Sequence, residues 1–104
     1  MTHRLAALAA IASLSLAWAA PAQAQDARYL AANCANCHGT EGRASAGGGM
    51  PGLAGLSRGY FIEQMNAFRS GTRQATIMHQ LAKGYTDEQI ARMADYFSQI
   101  KPVR

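Results

Sequence analysis

Long runs of charge are missing from this chain, and so is any cluster of Lys and Arg interleaved with aromatics. Charged residues make up 15% and aromatics 8% of its 104 residues. Without a basic, aromatic-lined stripe, a nucleic-acid footprint is unsupported. Convincing period-two alternation is also absent, which argues against half-buried strands, and no internal repeat points to a solenoid. Cysteine occurs twice, at 34 and 37.

What is present begins with a leader. Arg4 supplies a positive start, Leu5 to Ala20 are apolar apart from Ser13 and Ser15, and Ala22-Gln23-Ala24 is a small-x-small site. Residues 1–24 therefore read as a cleaved signal peptide for export to the periplasm, with residues 25–104 as the mature domain. The competing reading, an uncleaved anchor, needs roughly 20 apolar residues, and no stable membrane anchor is expected. The mature chain keeps nine basic and six acidic residues, a formal +3. A scattered charge of this size suits docking to a protein partner. About 80 residues form one domain, small enough that a metal, cofactor or crosslink usually supplements the core.

Helical signals dominate the mature chain. Asp26 to Cys37 is Ala-rich with Leu30 and Cys34 four apart, and Tyr60 to Ser70 carries Phe61, Met65 and Phe68 on one face, with Gly71 placed to end it. Ile77 and Leu81 suggest one short turn. Thr86 and Gln89 form a capping box for a last helix whose buried stripe is Ile90, Met93, Ala94 and Phe97. Between Gly39 and Gly59, by contrast, lie eight of the ten glycines and Pro51. A loop this long in a compact domain is expected to wrap something. The fold class is all-α.

Cys34-Ala35-Asn36-Cys37-His38 is the most specific motif, the attachment pattern of a c-type haem. Two cysteines three residues apart at a helix end lie on neighbouring sides of one turn and can reach both vinyl groups along one haem edge. The following histidine is then carried beneath the ring as an iron ligand. A disulfide or a dithiol redox centre is the alternative, but thioredoxin-type centres sit in a βαβ context that is absent. Zinc would need further ligands at the right spacing, and only His79 remains. One covalent haem c also accounts for the small core and the long loop.

Four methionines in the mature chain compete for the sixth ligand position. Met65 and Met93 sit in apolar helical stripes and read as core. Met78, forty residues after His38 and off the Ile77–Leu81 pair, is the favoured ligand, with Met50 and His79 as rivals. Pro51 has two readings: a turn proline, or the source of a carbonyl that holds the second ring nitrogen of His38.

These residues together resemble a class I cytochrome c, with three to four helices wrapped around one haem. The resemblance implies that the first and last helices cross, with Leu30 and Ala31 against Tyr96 and Phe97. A narrower similarity, carried by Phe68-Arg69-Ser70-Gly71, Ala75-Thr76-Ile77-Met78, Ala82-Lys83-Gly84-Tyr85 and Met93-Ala94-Asp95-Tyr96-Phe97, is to the cytochrome subunit of flavocytochrome c sulfide dehydrogenase, related to the cytochrome c4 group. It implies Met78 as axial ligand and a flavoprotein partner that oxidises sulfide. Some members carry two haem domains, whereas this chain has one Cys-x-x-Cys-His, so a free-standing carrier of the c4/c5 type stands as the alternative, with a haem enzyme or sensor having an open sixth position behind it. In either leading case the chain passes single electrons and is not itself a catalyst.

Overall fold

The computed structural model describes residues 22–102. The expected leader, residues 1–24, lies outside this range except for 22–24, which open the first helix. Among the described residues five α-helices and one 3-10 turn occur in order: α1 Ala22–Ala32, α2 Ala35–His38, the 3-10 turn Thr40–Gly42, α3 Arg58–Ser70, α4 Met78–Ala82 and α5 Asp87–Ser98. Among the described residues no strand occurs.

The single helix expected from Asp26 to Cys37 is broken. The Cys34 amide bonds the Ala31 carbonyl three residues back at 3.1 Å, and the amides of Cys37 and His38 then both bond the Cys34 carbonyl, at 3.3 and 2.9 Å. Asn33 sits at the break, and asparagine favours such irregular backbone because its side chain competes with helical hydrogen bonds. The consequence is that α2 is a separate turn, aimed independently of α1.

Helix α3 starts two residues earlier than expected because Ser57 caps it, its Oγ accepting the Tyr60 amide at 3.3 Å. Gly71 ends it in the left-handed conformation. At α5 both halves of the capping box form: Thr86 Oγ1 accepts the Gln89 amide at 3.2 Å, and Gln89 Oε1 accepts the Thr86 amide at 2.9 Å. Asp87 and Glu88 in the first turn add favourable interaction with the helix dipole.

Helix α5 is the centre of the molecule. Its Ile90, Met93, Ala94 and Phe97 are buried, and they form one cluster with Ala31 of α1, Phe61 and Met65 of α3 and Ala82 of α4. Phe97 stacks on Phe61 with ring centroids 5.5 Å apart and meets Tyr96 edge-on at 5.2 Å. Leu30 and Tyr96 pack on the rim of that cluster, so the first and last helices do meet as the resemblance implied. An Arg92–Asp26 ion pair ties them further.

The loop between the 3-10 turn and α3 is irregular but anchored. The Gly42 carbonyl accepts both the Leu53 amide, at 2.8 Å, and the Ala54 amide, at 3.1 Å, while the Gly55 amide bonds the Phe97 carbonyl at 2.8 Å. Gly42 itself has φ 71° and is buried; a Cβ there would come within 2.8 Å of both the Leu53 Cβ and the Phe97 ring. Gly42→Ala combines left-handed strain with overpacking and is expected to destabilise the protein by about 3 kcal/mol, read from denaturant unfolding. A loss below about 0.5 kcal/mol would show that this contact yields freely.

Candidate functional site

The two thiols and the histidine of the motif are presented by α2 and the turn before it. Cys34 is half-buried, Cys37 exposed and His38 buried, and both cysteines are free. Burial pushes the Cys34 thiol above its ordinary pKa, with a smaller upward contribution from neighbouring Cys37. A dithiol redox centre works by the opposite shift, a thiol lowered toward thiolate. A thiol in this state suffices as the precursor of a thioether.

Immediately after His38 the chain must turn sharply. Gly39 has φ 85°, and a Cβ at this position would lie 2.2 Å from the Arg43 carbonyl oxygen, so only glycine fits. The turn carries the chain into the loop that returns at Met50-Pro51. There the Pro51 carbonyl accepts a hydrogen bond from His38 Nδ1 at 2.7 Å. Because a carbonyl can only accept, the proton is on Nδ1, and in the neutral ring Nε2 is the nitrogen left with its lone pair free. A buried imidazole in this tautomer, oriented by a backbone carbonyl, is the usual arrangement of a metal-ligating histidine.

The three residues weighed as sixth ligand are placed differently. Met78 is half-buried at the first position of α4 and packs against the central cluster. Met50 is exposed and adjoins Pro51, whose carbonyl is bonded to His38 Nδ1. His79 follows Met78 on α4 and so points about 100° away from it around the helix axis. It lines a polar hollow of about 570 Å³ with Gly71, Arg73, Gln74, Ala75 and Thr76, and its Nδ1 is buried with no partner among the described residues.

The residues fit a covalently held haem: two free thiols on one turn, a buried histidine with Nε2 available, and a thioether on a different helix. Sequence reasoning missed Gly39, for which the only available signal was its position directly after the histidine.

Residues 24–101 match the model of the cytochrome c family. The chain is a cytochrome c. It is 39% identical over 94 residues to the thiosulfate dehydrogenase electron acceptor of Thiomonas intermedia, covering 89% of this chain and 43% of that protein. The cytochrome subunit of sulfide dehydrogenase from Chlorobaculum tepidum is 37% identical over 51 residues, 49% of this chain and 46% of that protein. Among solved structures, cytochrome c4 of Acidithiobacillus ferrooxidans superposes with a TM-score of 0.65 at 34% identity, over 76% of this chain and 51% of that one. The chain thus spans about half the length of these relatives. Membership of the family implies covalent haem c and a role in electron transfer, and the superposition agrees with the class I fold. No helix among the described residues is long and apolar enough to cross a membrane.

Proposed function

We propose that this cytochrome c carries one haem, joined through Cys34 and Cys37, with His38 Nε2 and the Met78 thioether as axial ligands, and that it relays single electrons in the periplasm. The hydrogen bond from His38 Nδ1 to the Pro51 carbonyl carries this reading, because it fixes the tautomer and ring plane a ligand needs. The bound haem supplies one-electron cycling of its iron. The chain supplies the rest. The Pro51 carbonyl would make the imidazole a stronger donor to the iron, while the methionine would favour the ferrous state and raise the potential. With both His38 and Met78 holding the iron, no position would be left for a substrate, as suits a carrier and not an oxygenase or sensor. Met50 is the weaker candidate because it is exposed and adjoins the proline whose carbonyl holds His38 Nδ1, and His79 because it lines the polar hollow on another side of α4.

The electron donor in this proposal is a dehydrogenase of reduced sulfur compounds, and specifically the flavoprotein subunit of a sulfide dehydrogenase. One observation favours a second donor, a thiosulfate dehydrogenase: the thiosulfate-linked relative matches 89% of the chain, against 49% for the sulfide-linked one. Co-purification from the native source is expected to bring down a flavoprotein that reduces this haem on addition of sulfide. Reduction on thiosulfate by a co-eluting dehydrogenase selects the second donor. A lone monomer reduced equally by any donor overturns both.

A further inference from the structure

Helix α4 is only five residues long and has no side-chain cap, so its own hydrogen bonds hold it poorly. Its position is nevertheless well determined, because the segment before it and the segment after it are both tied to the C-terminal end of α3. On the entry side, the Arg73 amide bonds the Ala67 carbonyl at 3.1 Å. The Arg73 guanidinium lies 4.5 Å over the Phe68 ring and donates to Gln64 Oε1 at 2.6 Å. On the exit side, Arg69 donates to the Tyr85 carbonyl at 3.3 Å and, through Nη2, to Asn66 Oδ1 at 2.8 Å and Asp87 Oδ1 at 2.5 Å.

We infer that Arg69 and Arg73 are positioning residues for Met78: Arg69, in the last turn of α3, and Arg73, in the segment that follows it, clamp the exit and entry of the methionine-bearing segment to α3 and so hold its sulfur in place. The inference rests on the assignment of Met78 as sixth ligand. The two clamps are not equivalent surface pairs. Arg69 has a side chain one-third exposed, 33%, and makes three contacts with a planar fork, a geometry that an ammonium cannot reproduce. Arg73 uses both its amide and its side chain. Each spans a point where the backbone changes direction, at Gly71 before α4 and at Lys83-Gly84 after it. With one clamp released, Ala82, fully buried in the core, still anchors α4, but the segment can pivot about that point. The expected effect is on ligation before global stability.

The test uses the ferric holoprotein and imidazole as a competing ligand. Imidazole binds at the iron only when the methionine segment swings away, so its apparent affinity reports the population of the open state. Arg69→Gln and Arg73→Gln are each expected to bind imidazole about fivefold to tenfold more tightly than wild type, the scale of a typical coupling. Arg69→Lys, which keeps the charge and loses the fork, is expected to recover only part of the difference and supplies a second variant should Arg69→Gln fold poorly. Arg92→Gln breaks the ion pair between α1 and α5 and serves as the control for simple destabilisation; its imidazole affinity should match wild type even if its Tm falls. If the Arg69 and Arg73 variants shift affinity no more than Arg92→Gln does, the clamp is refuted. Met78→Ala separates the two levels: if that variant binds imidazole as wild type does, the ligand assignment fails, whereas a large gain there with silent arginine variants removes the clamp alone.

Discussion

A Cys34→Ala/Cys37→Ala double variant, expressed under conditions that produce the red wild-type protein, is expected to lose its colour completely on acid–acetone extraction and to be largely unfolded. Both halves follow from the structure. The thiols at 34 and 37 are the only cysteines, so no other residue can retain the cofactor covalently. The folded state depends on what the cofactor adds, because few large side chains are deeply buried: Phe97, Ile90 and Met93 lead the fully buried set, and the glycine-rich loop contributes little to the core. A chain of about 80 residues with such a core is marginal alone. Circular dichroism and extraction together check this. Haem that resisted extraction from the double variant would refute thioether attachment, and a variant that unfolded at the wild-type midpoint would refute the dependence of the fold on it. The single variants are expected to be intermediate, with Cys34→Ala the more harmful since Cys34 packs against the core while Cys37 is exposed.

Met78→Ala is expected to lower the midpoint potential by on the order of 0.1 V or more, within the roughly 0.8 V that axial ligands command, and to abolish the methionine-to-iron band of the ferric protein. A thioether stabilises ferrous iron, so its removal favours the ferric state and the potential falls. Met65→Leu is the comparison that isolates ligation from packing. Met65 is buried in the cluster, and a volume-conserving exchange there is expected to cost below about 1.5 kcal/mol while leaving potential and spectrum unchanged. Retention of the wild-type spectrum by Met78→Ala would transfer the sixth position to another residue. His79→Ala would then be decisive, given the unpaired buried Nδ1 of His79.

Local signals account for much of the fold. The capping box at Thr86 and Gln89, the stop at Gly71 and the stripe Ile90, Met93, Ala94, Phe97 were all legible because each depends on residues within one or two turns. Burial of Met65 and Met93 followed from the same periodicity. The break at Asn33-Cys34 was not legible, since the Ala-rich pattern runs through it without interruption and only the backbone hydrogen bonds at Cys34 reveal two helices. The start of α3 lies two residues before the point its periodicity indicates, because Ser57 stands at the edge of a glycine-rich stretch in which a cap looks like any other loop serine.

The site divides along the same line. By itself the sequence pointed to haem attachment, through the spacing of Cys34, Cys37 and His38, and to a helical domain. It left Pro51 balanced between a turn and a carbonyl donor, and Met78 among three candidates. Only the tertiary structure brought the Pro51 carbonyl to 2.7 Å from His38 Nδ1, left Met50 exposed while half-burying Met78, and tied the Met78 segment to α3 through Arg69 and Arg73. The physical reason is range: attachment chemistry is written within five consecutive residues, whereas tuning depends on loop closures of 13 to 18 residues, whose geometry is fixed by packing against Phe97 and its neighbours and by no local pattern.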